Sequence, residues 1–97
     1  MSKPWFLYLI ECRDGSIYTG ITVDVAARYA AHVAGTGARY TRSHPPANLL
    51  GWEFHPDRAS ASRAEYRIKQ LSATEKRRYA ATLQPGTPET LSPALAV

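Results

Sequence analysis

Cysteine is almost absent from this sequence. Cys12 stands alone among 97 residues, so no disulfide can close within the chain, and no Cys/His spacing reads as a zinc site. Long apolar runs are missing too. The stretch Trp5-Phe6-Leu7-Tyr8-Leu9-Ile10 stops at Glu11 and lacks a small-residue cleavage site, so it reads as a strand and not as a signal peptide. It also falls far short of the ~20 apolar residues that a membrane span needs. There are no internal repeats. Acidic residues are scarce, 8 against 12 Lys and Arg for a net charge of +4. These absences lead to the expectation of one soluble, cytoplasmic domain with no membrane association. What is present agrees: a 44% hydrophobic fraction and two Trp suffice for one modest core.

The basic excess is unevenly spread. Residues 1–34 balance, with Lys3, Arg13 and Arg28 against Glu11, Asp14 and Asp24. Arg39 and Arg42 follow without an acidic neighbour. Then Arg63, Arg67, Lys69, Lys76, Arg77 and Arg78 face only Glu65 and Glu75 across residues 59–83. A central loop and the C-terminal helices therefore carry the surplus, as expected of a face that meets a polyanion. The bland alternative is a solvated charge set that stabilises helices.

Periodicity predicts the elements. Trp5–Cys12 and Ile17–Ile21 are aromatic and β-branched enough for strands, with Asp14-Gly15 as a turn signal between them. Thr22 and Asp24 offer N-caps to a helix reaching Ala34, which Gly35 can close, with Val25, Tyr29 and Val33 as its apolar stripe. Residues 35–47 read as a Gly/Pro-bounded loop, and Leu49–Phe54 as a third strand. A second helix spans Arg58–Leu71 with Ala61, Ala64, Ile68 and Leu71 on one face. Ser72-Ala73-Thr74-Glu75 is a capping box that opens a third helix to Leu83. Residues 84–97 read as a disordered tail. The order ββαβαα predicts a small α+β domain, residues 1–83, with a three-stranded antiparallel sheet flanked by helices.

Tyr8, Tyr18, Gly20, Arg28, His32 and Glu65 fall where they can converge. Arg28 and His32 are four apart and share a helical face bordering the apolar stripe. Glu65 lies one step off its own stripe. Each has an ordinary alternative. Tyrosines are common in strands, and Arg28 can pair with Asp24 one turn earlier. His32 suits a helix C-terminus, and Glu65 can complete a capping box with Ser62.

Taken together, the spacing resembles the GIY-YIG nuclease family, and especially its small stand-alone YhbQ-like members. The resemblance runs through Trp5–Ile10, Ile17-Tyr18-Thr19-Gly20-Ile21-Thr22, Asp24-x-x-x-Arg28-x-x-x-His32, Gly35-x-Gly37-Ala38-x-x-Thr41 and Arg63-Ala64-Glu65-Tyr66-Arg67-Ile68-Lys69. The first eponymous triplet reads Phe6-Leu7-Tyr8 and the second has Thr19 for Ile. The resemblance implies a nuclease in which Tyr8 and Tyr18 flank the scissile phosphate and one helps activate the attacking water. Arg28 would neutralise charge growing on the phosphoryl oxygens, and His32 would orient groups or relay protons. Glu65 would be the single protein ligand of one Mg²⁺ or Mn²⁺ ion. The segment holding Arg39, Tyr40 and Arg42 would meet substrate, the guanidinium groups on phosphates and the ring on a base. Nucleic acid is the implied partner, DNA ahead of RNA, with DNA repair or processing as the setting. Larger family members carry a separate DNA-binding domain. Sequence specificity is not expected here, and DNA-structure recognition, a protein partner that supplies specificity, and weak general activity stay open. The rival reading is a non-catalytic nucleic-acid-binding module of the same fold. His44 and His55, each before a proline, read as loop residues.

Convergence of the tyrosines constrains the hairpin. A two-residue Asp14-Gly15 turn places Tyr8 and Tyr18 on opposite faces of the sheet. A three-residue loop, Arg13-Asp14-Gly15, sets Tyr8 opposite Gly20 and Tyr18 opposite Ile10, so both rings leave one face as diagonal neighbours at roughly 7–8 Å. Gly15 then takes the left-handed third position, Cys12 pairs with Ser16, and Gly20 opens space above the sheet for substrate.

Overall fold

A computed structural model describes residues 3–87 of the chain. Its elements are β1 (Trp5–Cys12), β2 (Ile17–Thr22), α1 (Val25–Val33), α2 (Arg39–Ser43), β3 (Pro46–His55), α3 (Arg58–Lys69), α4 (Ala73–Ala80) and β4 (Gln84–Pro85). The fold is α+β, with an antiparallel sheet in the order β2-β1-β3-β4.

β1 is central and buried on both sides, which is why its sequence is an unbroken apolar run instead of an alternating one. Leu7 and Leu9 point to one face, where Ile17, Ala64, Ile68 and Ala80 complete a core with α3 and α4. Tyr8, Ile10 and Cys12 point to the other, where Val25 of α1 and Leu49 of β3 meet them. The domain therefore has two cores separated by one strand.

The caps confirm much of the sequence reading. Asp24 caps α1 by accepting from the Ala27 amide at 3.1 Å. Asp57 caps α3 through the Ser60 amide at 2.8 Å. Ser72 and Glu75 form the expected reciprocal capping box of α4. Gly35 follows α1 with φ 81°, the left-handed state that closes a helix.

The differences have local causes. The sheet has a fourth strand. α4 stops at Ala80, and two turns, Thr82 N–H to Tyr79 and Leu83 N–H to Ala80, send Gln84–Pro85 back beside Gly51 and Trp52. The expected disordered tail thus begins with paired backbone, and its remainder, 88–97, lies outside the described residues. β3 starts three residues before the expected Leu49, because Pro46 sits at its first position, where the missing N–H costs nothing. Register shifts opposite Leu9/Ile10 and Glu11/Cys12 hid that start from simple alternation. α2 replaces part of the expected loop. It is five residues long and its N-cap Ala38 offers no side chain, so no sequence signal announced it. In α1, Val33 is 61% exposed, and His32 takes the inward position expected of it.

Polar groups enter both cores. Thr19 on β2 faces α3 at 2% exposure, and its hydroxyl has no hydrogen-bond partner. His32 is buried at 1%, and burial, reinforced by the Arg28 charge, holds its pKa below the ordinary 6.5.

Each polar group yields a stability expectation. Thr19→Val keeps the shape and removes an unsatisfied hydroxyl, so it should raise the unfolding free energy by about 1 kcal/mol. A denaturant midpoint at or below wild type would show that the hydroxyl is not orphaned. For His32, the unfolded chain takes up a proton near pH 6.5 while the folded chain does not, so stability must fall as pH drops through that value. Melting temperatures between pH 8 and 5.5 should show this fall, and His32→Gln should flatten it.

Candidate active site on the outer sheet face

The hairpin decides whether the two strand tyrosines can meet. Cys12 N–H donates to the Ser16 carbonyl at 2.8 Å and Gly15 N–H to the Cys12 carbonyl at 2.9 Å. Gly15 has φ 88°. The loop is therefore Arg13-Asp14-Gly15, as expected, with Tyr8 opposite Gly20 and Ile10 opposite Tyr18. Asp14 secures the turn by accepting from the Ser16 amide at 3.0 Å and the Ser16 hydroxyl at 2.6 Å. Those bonds, aided by His44, hold its carboxyl well below the usual range. The Tyr8 and Tyr18 rings lie 6.3 Å apart, tilted by 45°.

The role of Gly20 differs from expectation. A Cβ there would fall on the Tyr8 hydroxyl and lie 2.6 Å from its Cζ. The space Gly20 leaves is filled by the Tyr8 ring and is not open to substrate. Gly20 belongs to the site because it lets that ring lie flat across β2.

Tyr8 is buried, and its hydroxyl meets His32 Nε2 at 2.9 Å. On the far side of the imidazole, Nδ1 lies 2.6 Å from the Thr41 hydroxyl, which donates to the Ala38 carbonyl at 3.0 Å. Burial, and next the neighbouring Tyr18, pushes the Tyr8 pKa up to about 12. The Arg28 guanidinium opposes that rise through a hydrogen bond and its charge, whereas the Glu65 carboxylate adds to it. Tyr8 thus feels Arg28 from α1 and Glu65 from α3 at once. Asp24 is spent on its cap, so the ordinary Asp24–Arg28 pair does not form. The Ser62–Glu65 capping box is also absent, since α3 begins at Asp57.

Glu65 is half-buried, and its Oε2 lies 3.4 Å from Lys69 Nζ. Among the described residues no cluster of three or more His, Cys, Asp or Glu could hold a metal. A lone carboxylate beside open solvent suits a hard cation that keeps most of its waters, such as Mg²⁺, and does not suit zinc.

A row of rings continues from the tyrosines. Tyr18 lies 5.1 Å from His32 and stacks on Tyr40 at 5.9 Å, and Tyr40 stacks on His44 at 4.1 Å. Tyr40 thus stacks on two of the chain's own rings and is still 39% exposed. His44, read as a loop residue, ends this row and pairs with Asp14 at 2.5 Å. Thr41 stands in the family spacing but received no role from the sequence, because a threonine carries no chemical signature until its partner is known. Arg39 and Arg42 are exposed and, like Arg63, have no ion-pair partner among the described residues. Arg77 is different: Glu11 and the Gly15 carbonyl hold it.

No helix among the described residues is long and apolar enough to cross a membrane. Residues 4–80 match the GIY-YIG catalytic domain. A UPF0213 protein of Xanthomonas axonopodis pv. citri is 57% identical over 74 residues, covering 76% of this chain and 72% of the relative. Another, of Cupriavidus pinatubonensis, is 48% identical over 90 residues, covering 93% and 98%. The solution structure of a UPF0213 protein from Bacillus halodurans aligns at 37% identity with a TM-score of 0.52, over 92% of this chain and 93% of that one. A second solution structure, of a protein from E. faecalis, aligns at 34% identity and TM-score 0.57, over 84% and 86%. The chain belongs to the GIY-YIG catalytic-domain family, within the nuclease superfamily, and is similar to its small UPF0213 members.

Proposed function

We propose that this protein is a divalent-metal-dependent phosphodiesterase that cuts nucleic acid, DNA in preference to RNA, and serves DNA repair or processing in the cytoplasm. One observation carries the reading: the buried Tyr8 hydroxyl bonds His32 while Arg28 and Glu65, from different elements, both act on it. A structural tyrosine has no need of that surround.

Of the two tyrosines we take Tyr8 as the base, a reading that its hydrogen bond to His32 supports. Tyr8 passes its proton to His32 Nε2 and takes one from the attacking water, whose oxygen bonds to phosphorus as the P–O bond to the leaving oxygen breaks. A hydroxyl with a pKa near 12 is not ionised at rest; the water's proton replaces the one Tyr8 gives to His32, so no free tyrosinate has to accumulate, and the Arg28 charge suits the phosphoryl oxygens. Tyr18, held between Tyr8 and Tyr40, presents its hydroxyl to the phosphate. Glu65 would hold one Mg²⁺ or Mn²⁺ ion, which supplies Lewis-acid stabilisation to the leaving oxygen. Arg39 and Arg42 bind flanking phosphates, and a protein partner supplies specificity.

The deciding experiment incubates the protein with Mg²⁺ or Mn²⁺ over single-stranded, duplex, flapped and branched substrates. Arg28→Ala and Glu65→Ala should each lower cleavage on the order of 10²-fold or more, with a much smaller loss of binding. Equal cleavage by wild type and both variants sinks the assignment, and binding without cleavage by wild type supports a non-catalytic module. Chelation by EDTA should stop cleavage and added Mg²⁺ restore it. Affinity should fall steeply with salt, and Arg39→Ala or Arg42→Ala should each flatten the log–log slope by roughly 0.7–0.9. A slope unchanged by both substitutions removes α2 from the interface.

A further inference from the structure

Thr41 lies on a five-residue helix and is 2% exposed. Its hydroxyl has two polar neighbours, the Ala38 carbonyl at 3.0 Å and His32 Nδ1 at 2.6 Å. A hydroxyl has one proton to give, and a carbonyl has none. The contact with Ala38 must therefore be a donation from Thr41, and the Ala38 oxygen also receives the Arg42 amide at 3.2 Å, so it is fixed by backbone. Thr41 can then only accept from His32. A neutral imidazole carries one N–H, and placing it on Nδ1 leaves Nε2 with a lone pair aimed at Tyr8, 2.9 Å away.

We propose that Thr41 is a positioning residue that holds His32 in the Nδ1–H tautomer and thereby makes Nε2 the acceptor for the Tyr8 proton. The catalytic part of this inference rests on the nuclease reading above, and the tautomer does not. The hydrogen bonds run one way, from Tyr8 O–H to His32 Nε2, from His32 Nδ1–H to Thr41 Oγ1, and from Thr41 O–H to the Ala38 carbonyl. When the Tyr8 proton moves to Nε2, the O–H bond breaks and an N–H bond forms. The resulting imidazolium keeps its Nδ1–H on Thr41, and no side chain rotates. The opposite tautomer would aim an N–H at the Tyr8 oxygen and leave the phenolic proton without this acceptor. Burial and Arg28 keep His32 neutral at rest, so the imidazole stands ready as a base. The short helix α2 brings this hydroxyl to that nitrogen.

The test uses the full chain with ¹⁵N-labelled imidazoles. Wild type should show a protonated Nδ1 and a bare Nε2 at His32. Thr41→Val preserves shape but removes the acceptor, so His32 should move to the Nε2–H form or a mixture. Cleavage should then drop about 10- to 100-fold, the scale known for metal-ligating histidines that lose the group orienting them, with substrate affinity unchanged. Thr41→Ser restores the hydroxyl and should recover both tautomer and rate. An Nε2–H tautomer in wild type overturns the proposal. So does a Thr41→Val protein, folded by its amide spectrum, that keeps the wild-type tautomer and rate. If Thr41→Val fails to fold, Thr41→Ser decides: loss of the Nδ1–H form despite the retained hydroxyl overturns the proposal. A wild-type protein with the Nδ1–H form but no cleavage overturns the nuclease reading and leaves the Thr41 assignment standing.

Discussion

Gly15 adopts a backbone state, φ 88°, that a residue with a Cβ reaches only at a cost, and the Arg13–Gly15 loop closes around it. The consequence is register. One residue fewer in that loop would turn every β2 side chain to the other face. Tyr18 would leave Tyr8, and Gly20 would no longer lie beneath the Tyr8 ring. The Ser16 bonds of Asp14 and the Cys12–Ser16 pair hold this closure, and Asp14 reaches further to His44. Arg13 N–H to the Pro45 carbonyl, at 2.9 Å, adds a second tie between the turn and the exit of α2. Turn and the exit of α2 are thus tied together, and α2 carries Thr41 and Tyr40 to the tyrosines and His32.

Burial sets the chemistry of the site. A tyrosine on an exposed strand would titrate as in water and find its own solvent partners. Tyr8 is enclosed, so its hydroxyl depends on what the protein places beside it. Desolvation raises its pKa, and a positive and a negative group then pull in opposite directions. The same enclosure keeps His32 neutral, and therefore able to accept a proton. A basic tyrosine partner and a buried imidazole are two results of one packing arrangement, in which α1 closes the Tyr8 face of the sheet.

The positive charge divides into two populations. Arg77 is bound to Glu11 and to the turn carbonyl, Lys69 sits beside Glu65, and Arg58 lies over the Trp5 ring at 5.4 Å. Arg77 and Arg58 join elements of the domain, and Lys69 pairs within α3. Arg39, Arg42 and Arg63 have no such partner among the described residues and stay available to a polyanion. Net charge alone could not separate the two kinds, because the separation depends on which side chains the fold brings within reach.

Local signals in the sequence determined β1, β2 and the body of β3, the turn at Asp14-Gly15, the caps at Asp24 and Ser72/Glu75, the buried stripe of α3, and the shared helical face of Arg28 and His32. Each of these rests on contacts within a few residues, where periodicity, turn chemistry and capping act directly. The family spacing added the convergence of Tyr8, Tyr18, Arg28, His32 and Glu65. What only the tertiary structure decided depends on distant partners. α2 has no cap of its own and is held by Thr41 against His32. β4 exists because Gln84–Pro85 finds the free edge beside Gly51. Gly20 accommodates the Tyr8 ring instead of a substrate, and Tyr40 stacks on Tyr18 and His44. In each case the deciding neighbour lies on another element, and no pattern along the chain encodes the space between them.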